Sequence, residues 1–70
     1  MEPFGERIRR MRKERGMSQT DLAELVGVSQ SNISAYEGGR QEPKMGQLIL
    51  LAKTFGASLD YVCCLTDTEH

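Results

Sequence analysis

The sequence predicts an all-α domain built from five short helices. A Gly-x-Ser tripeptide occurs three times along the 70 residues, and apolar residues recur at helical spacing between its copies. No segment alternates apolar and polar residues with the period of two that a strand requires. A chain of this length is one domain or a fragment of one. We expect a single helical domain over residues 1–65 and a polar, frayed tail at residues 66–70.

The repeated tripeptide marks the places where one helix ends and the next begins. Glycine readily adopts the left-handed conformation that ends a helix, and serine caps the next helix by accepting a hydrogen bond from an early backbone N–H. The apolar residue between them can pack on the apolar residue five positions further on, as in a hydrophobic staple. The copies are Gly16-Met17-Ser18, Gly27-Val28-Ser29 and Gly56-Ala57-Ser58, and the staple partners are Leu22, Ile33 and Val62.

The first three helices are predicted from Pro3 to Arg15, from Ser18 to Val26 and from Ser29 to Glu37. Proline suits the first turn of a helix, and Asp21 follows Ser18 by three residues, as in a capping box. The residues expected to face the core are Phe4, Ile8 and Met11, then Leu22, Leu25 and Val26, then Ile33 and Tyr36.

The last two helices are predicted from Lys44 to Phe55 and from Ser58 to Leu65. The segment between the third and fourth helices, Gly38 to Pro43, is rich in glycine and polar residues and is predicted to be a loop. The residues expected to face the core are Met45, Leu48, Ala52 and Phe55, then Leu59, Val62 and Leu65.

The second and third helices are joined by only Gly27 and Val28 before the Ser29 cap. So short a junction prevents an antiparallel arrangement and predicts a steep crossing. We expect the small residues Ala23 and Gly27 to allow the close approach, with Ile33 filling the space between the helices. This pattern is the skeleton of a helix-turn-helix.

The predicted outer face of the third helix carries no charge and no bulky side chain. Glutamine pairs bidentately with adenine, serine reaches several base edges, and an alanine methyl contacts the methyl of thymine. Taken singly, each residue is more simply interpreted as filling a helical turn, but together they favour a helix that reads the major groove. The residues are Ser31, Ala35 and Gly38, flanked by Gln30 and Ser34.

Further residues match a known family over nearly the whole chain. They are Ile8-Arg9-Arg10-Met11-Arg12, Gly16-Met17-Ser18-Gln19, Leu22-Ala23, Gly27-Val28-Ser29, Ile33, Glu37, Gly39, Pro43, Leu51-Ala52 and Ser58-Leu59-Asp60-Tyr61. In these residues the chain resembles the lambda-repressor-like, or XRE-type, helix-turn-helix family. The resemblance implies a compact five-helix domain that binds DNA sequence-specifically in bacterial and phage transcription regulators, which usually act as dimers.

The resemblance also implies a role for individual residues. The positions that match base-reading residues are Gln30, Ser31 and Ala35, with Ser34 beside them. The positions that match DNA phosphate contacts are Gln19, which also braces Gln30, and Arg40 and Lys44. Asn32 and Ser34 lie beside the base-reading positions, where they reach phosphate or flanking bases. Arg12 and Glu37 match a partly buried ion pair that ties the first helix to the end of the third.

The overall charge is unusual for a protein that binds DNA. The formal net charge is −1, with an isoelectric point near 5.7, whereas a basic domain is the usual footprint. Residues 1–16 nevertheless carry six Arg and Lys against three Glu. Two interpretations stay open for Arg7, Arg9, Arg10 and Lys13: they contact phosphate, or they form the solvated face of an amphipathic helix.

Several classes of function are disfavoured. The single histidine, His70, is the last residue, Cys63 and Cys64 are adjacent rather than spaced for metal or redox chemistry, and no glycine-rich phosphate loop is present. We therefore expect neither an enzyme nor a cofactor. The longest apolar run, Leu48 to Ala52, is too short for a membrane span, and the first residues lack a signal-peptide pattern, so we expect a cytoplasmic protein.

The prediction is thus a transcriptional regulator, most simply a repressor, that binds a near-palindromic site in double-stranded DNA. The alternative is an interaction module of the same fold whose main partner is a protein, as in antitoxins or bridging factors. A homodimer is a further hypothesis, with Leu50, Tyr61 and Cys64 as its patch. Scattered surface apolar residues explain that patch equally well.

Overall fold

The computed structural model describes residues 2–63, and these residues form five α-helices and no strand. The helices are α1 (Phe4–Glu14), α2 (Gln19–Val26), α3 (Gln30–Glu37), α4 (Met45–Phe55) and α5 (Leu59–Val62). The predicted all-α fold is confirmed, and the helix boundaries agree within one residue except at the end of α5. α5 ends at Val62, with Cys63 as its C-cap, rather than at Leu65. Residues 64 and 65 and the frayed tail predicted at residues 66–70 lie outside the described residues.

Serine caps begin three of the helices, as the repeated tripeptide predicts. The hydroxyl groups of Ser18, Ser29 and Ser58 accept hydrogen bonds of 3.0, 3.1 and 3.1 Å from the backbone N–H three residues further on. The carboxylate of Asp21 accepts in return from the backbone N–H of Ser18 at 3.0 Å, which completes a capping box. The helix boundaries are therefore set by local sequence.

The core lies where the five helices meet, and every helix contributes to it. Burying these side chains provides the main driving force for folding. Within residues 2–63, no helix has both the length and the apolar character needed to cross a lipid bilayer. The largest fully buried side chains are Ile8 and Met11 from α1, Leu22 and Val26 from α2, Ile33 from α3, Leu51 from α4 and Val62 from α5.

Two apolar residues expected in the core are at the surface instead. Leu25 is 56% exposed and Met45 is 61% exposed. At about 100° per residue, Leu25 points roughly 80° away from the centre of the buried face that Leu22 and Val26 define. Met45 likewise lies about 80° around the helix from Phe55, which is close to the centre of the face that α4 buries. Leu51, which the prediction omitted, fills the core in its place.

The close approach expected at Gly27 occurs at Gly5. A β-carbon at Gly27 would meet nothing within 4 Å, so glycine is needed there for its φ of 75°, which other residues rarely adopt. A β-carbon at Gly5 would lie 2.5 Å from the carbonyl oxygens of Tyr36 and Glu37. The first turn of α1 therefore packs directly on the end of α3.

A cluster of charged side chains joins α1 to α5. Arg7 is buried, donates to the backbone oxygen of Tyr61 at 2.9 Å and lies 4.2 Å from the centre of its ring. Arg10 donates to the hydroxyl of Tyr61 at 2.6 Å, and Glu2 accepts from both arginines. Arg7 and Arg10 are thus engaged within the fold, so for Arg7 both interpretations from the sequence were wrong.

Replacing Gly27 tests backbone strain. We expect Gly27→Ala to lower the free energy of unfolding by about 1–2 kcal/mol, because a β-carbon disfavours the left-handed conformation. Gly27→Asn should cost less, since asparagine tolerates that conformation. Urea denaturation measures both, with Gly46→Ala, at an open helical position, as the control. Equal losses for alanine and asparagine would point to crowding instead.

The Glu2 carboxylate gives the fold a component of acid sensitivity. Hydrogen bonds from Arg10 and Arg7 lower the pKa of Glu2 to about 2. A lowered pKa in the folded state means that the stabilisation is complete above the ordinary pKa of glutamate and is lost as the pH falls from there towards 2. Glu2→Gln should therefore lower the melting temperature at pH 7 and reduce its dependence on pH between 5 and 2. An unchanged pH dependence in thermal melts would contradict this contribution.

Candidate nucleic-acid interface

The outer face of α3 is accessible over its whole length. Ile33 and Tyr36 are buried and fix the opposite face of the helix in the core. As a consequence Gln30, Ser31 and Gly38 are exposed, while Ser34 and Ala35 are half-buried. The uncharged strip singled out in the sequence therefore lies on the surface, where another molecule can contact it.

An ion pair holds the end of α3 against α1. Arg12 donates to the two carboxylate oxygens of Glu37 over 2.6 and 3.1 Å, and the two side chains are 9% and 4% exposed. Arg12 also donates to the backbone oxygen of Met17 at 2.8 Å, in the turn before α2. Hydrogen bonding to Glu37 raises the pKa of Arg12. The pair predicted from the sequence is thus present and also reaches the second helix.

Two glutamines continue this interaction to the surface. The side-chain amide of Gln19, the first residue of α2, donates to Oε1 of Glu37 at 3.0 Å. The amide of Gln30, the first residue of α3, donates to Oε1 of Gln19 at 2.5 Å. We call Arg12, Glu37, Gln19 and Gln30 the polar relay. The contact between Gln19 and Gln30 was predicted from the sequence, but the hydrogen bond from Gln19 to Glu37 was not.

The carboxylate determines which way both amides point. An ionised carboxylate only accepts hydrogen bonds, so Gln19 must turn its NH2 group towards Glu37 and its oxygen towards Gln30. That oxygen also only accepts, so Gln30 must offer one of its N–H groups to it. Gln30 is left with its carbonyl oxygen and one N–H at the exposed start of α3, which is a donor–acceptor pair of fixed order.

The end of α3 places Arg40 close to the same face. Gly39, with a φ of 75°, reverses the chain, and the backbone N–H groups of Gly39 and Arg40 donate to the oxygens of Tyr36 and Ala35. This is a Schellman motif. The guanidinium of Arg40 then donates to Oγ of Ser34 at 3.3 Å. From the sequence, Ser34 was expected beside the base-reading residues and Arg40 among the phosphate contacts. The hydrogen bond between them was not predicted, because no short-range pattern relates the two residues.

The start of α4 adds backbone donors. Its N-cap residue, Lys44, is exposed and forms no side-chain cap, so the first N–H groups of the helix are left without a side-chain acceptor. A cleft of about 250 Å³ lies between Lys44 and Asn32 of α3, and Glu42 is also part of its lining. The N-terminus of a helix favours anions, although the Glu42 carboxylate opposes this.

In the described part of the chain, four of the nine basic side chains bind carboxylate or carbonyl groups of the protein itself. They are Arg7, Arg10, Arg12 and Arg15. Among residues 2–63, no carboxylate pairs with Arg40 or Lys44. Arg9, Lys13 and Lys53 are also exposed and have no carboxylate partner among these residues. Arg40 and Lys44 are the basic residues at the end of α3 and the start of α4.

The predicted dimer patch is only partly at the surface. Leu50 is 40% exposed on the outer side of α4, as expected. Tyr61 is 8% exposed, because its ring and hydroxyl pack against Arg7 and Arg10 of α1, so its assignment to an exposed patch was wrong. Cys64 lies outside the described residues.

Comparison with known families and proteins agrees with this geometry. A family model described as helix-turn-helix matches residues 8–62. YobD of Bacillus subtilis (strain 168), named as an uncharacterized HTH-type transcriptional regulator, is 34% identical over 64 residues, which make up 91% of this chain and 57% of that protein. The chain spans about half the length of the curated relatives it matches.

Solved structures share the fold. The crystal structure of the P22 c2 repressor protein in complex with a synthetic operator is 39% identical in sequence, with a TM-score of 0.85 over 89% of this chain and 94% of that one. The complex of the SinR and SinI proteins gives a TM-score of 0.79 at 33% identity, over 86% of this chain and 59% of that one.

The ion pair provides a test of the polar relay. We expect Arg12→Ala to lower the free energy of unfolding by about 3–5 kcal/mol, because it leaves the buried Glu37 carboxylate unpaired. The double substitution Arg12→Met with Glu37→Leu should recover most of this loss, since it removes both charges. Glu14→Ala, at an exposed ion pair, should change stability by less than about 1 kcal/mol. A double variant no more stable than Arg12→Ala in urea denaturation would contradict the account.

Proposed function

Because the chain belongs to the lambda-repressor-like, XRE-type helix-turn-helix family, we propose that it is a sequence-specific transcriptional regulator that binds double-stranded DNA and acts as a repressor. In this proposal α3 enters the major groove and its exposed face reads the bases. A binding role of this kind requires no catalytic group. Bacterial DNA lies in the cytoplasm, so we propose that a regulator of this kind acts there.

The fixed amide of Gln30 is the observation that carries the proposal. In the major groove, adenine offers N7 as an acceptor and its N6 amino group as a donor, side by side. The free oxygen and N–H of Gln30 match that pair, and the polar relay fixes their order before DNA arrives. We therefore assign Gln30 to an adenine. Ser31 and the methyl of Ala35 lie on the same face and suit polar base edges and the thymine methyl.

Phosphate contacts flank this strip in the proposed complex. Gln19 and Asn32 belong to the first turns of α2 and α3, while Arg40 and Lys44 supply positive charge. With only Arg40 and Lys44 as cationic groups in these proposed contacts, we expect modest affinity, and we expect it to decrease with salt in proportion to the phosphates contacted. Part of the specificity then depends on the shape of the DNA.

Two copies of the chain are needed to read a palindrome. The described residues extend 28 Å along their longest axis, whereas successive major-groove half-sites are about 34 Å apart. Each copy offers one recognition helix, so we propose that a homodimer binds a near-palindromic site. The exposed side chains of Leu50 and its neighbour Ile49 are available for contacts between subunits.

Selection from a random pool of duplex DNA tests the function. The full chain is immobilised, and the bound sequences are recovered and sequenced over several rounds. We expect enrichment of two half-sites related by a dyad, each with an adenine at a fixed position. Failure to enrich any sequence at low salt would refute DNA reading and would favour a protein partner, as in the complex of SinR with SinI.

Two substitutions separate base reading from phosphate binding. Gln30→Ala should weaken binding to the selected duplex by about 1–3 kcal/mol and relax the requirement for one adenine. Arg40→Ala should weaken binding to all duplexes alike and reduce the slope of log K against log salt by about 1. Fluorescence anisotropy on selected and scrambled duplexes measures both effects. If both variants lost affinity equally on the scrambled duplex, these role assignments would be wrong.

A further inference from the structure

Gly38 lies directly beneath the guanidinium of Arg40. A β-carbon at residue 38 would be 2.7 Å from Nη1 of Arg40 and 3.4 Å from its Cζ, and 3.3 Å from the carbonyl oxygen of Ser34. The φ of Gly38 is −84°, which any residue adopts, so the backbone itself does not require glycine. What the missing side chain provides here is space for the arginine.

The other contacts of Arg40 fix the same position. Its backbone N–H donates to the oxygen of Ala35 at 2.9 Å, within the turn that closes α3. Its Nη2 donates to Oγ of Ser34 at 3.3 Å. Ser34 and Gly38 are four residues apart and therefore adjacent on the helix surface, so the guanidinium spans one turn of α3. Gln30, four residues before Ser34, continues the same stripe.

We propose that Ser34 and Gly38 form a seat that orients Arg40 towards a DNA phosphate at the edge of the half-site, which makes Gly38 a positioning residue for DNA binding. This inference rests on the proposed function. It also reassigns Ser34, which serves as an acceptor for Arg40 rather than as a reader of bases. We call Ser34 and Gly38 the arginine seat.

The charge around the arginine seat supports this role. No carboxylate within residues 2–63 pairs with Arg40, so its charge remains available for a phosphate. A cation close to the C-terminus of a helix is also favoured by the helix dipole. Guanidinium binds phosphate through two parallel N–H groups, and this geometry depends on orientation. Ordering the side chain beforehand reduces the entropy lost on binding.

Alanine substitutions at two glycines provide the test. The probe is the duplex enriched from the random pool, and the measurements are its Kd and the salt dependence of binding. Gly38→Ala fills the seat, whereas Gly46→Ala, where a β-carbon meets nothing within 4 Å, is the control for the effect of such a substitution on stability alone. We expect Gly38→Ala to weaken binding about 3- to 10-fold, which corresponds to the loss of part of one contact, and to reduce the salt slope.

The expected pattern separates a positioning effect from a structural one. In an Arg40→Ala background, Gly38→Ala should have no further effect on Kd, and neither Gly38→Ala nor Gly46→Ala should lower the melting temperature. Ser34→Ala should weaken binding to all duplexes without altering base preference.

Two results would overturn the arginine seat. One is an affinity of Gly38→Ala equal to or tighter than that of the unsubstituted chain. The other is that Gly38→Ala weakens DNA binding by the same factor in the unsubstituted chain and in the Arg40→Ala variant. If the unsubstituted chain bound no duplex, the proposed function itself would be wrong. If the unsubstituted chain bound the duplex and Gly38→Ala did not weaken that binding, only the arginine seat would be refuted.

Discussion

Three helices converge on the carboxylate of Glu37. It belongs to the last turn of α3, accepts two hydrogen bonds from Arg12 of α1 and accepts a third from Gln19 of α2. Burying such a pair costs desolvation energy that offsets most of its attraction, so its value lies in geometry more than in net stability. Because a carboxylate accepts only, it determines the direction of every hydrogen bond from there to the surface of α3.

The same constraint relates the fold to the chemistry at its surface. Gln30 is exposed, yet its amide is oriented by a group that is 4% exposed at the opposite end of the same helix. Three of the four arginines in α1, Arg7, Arg10 and Arg12, bind groups of the protein itself, which reduces the charge that the basic start of the sequence leaves free. Binding in this account depends on a few oriented groups, Gln30 and Arg40 above all, rather than on a broad electrostatic field.

Local features of the fold were predictable from the sequence, and features that depend on distant contacts were not. The caps at Ser18, Ser29 and Ser58 involve residues only three apart, so the tripeptides predict them directly. The exposure of Leu25 and Met45 depends on which face of each helix the rest of the chain covers. The contact of Gly5 with the end of α3 and the burial of Tyr61 by Arg7 likewise join segments that are far apart in the sequence. The contact of Arg40 with Gly38 is local, but it depends on the conformation of the arginine side chain, which no sequence pattern predicts. Within the site, the sequence indicated Gln30 and the ion pair, but the link through Gln19 required coordinates.

Solution NMR of the side-chain amides of Gln19 and Gln30, recorded with and without a bound duplex, tests the oriented amide most directly. The account predicts that the Gln19 amide is already hydrogen-bonded in the free protein and stays so, while the Gln30 amide shifts strongly when DNA is added. It is contradicted if Gln19 gives the signals of a freely rotating side chain, or if DNA perturbs α5 and leaves α3 unchanged.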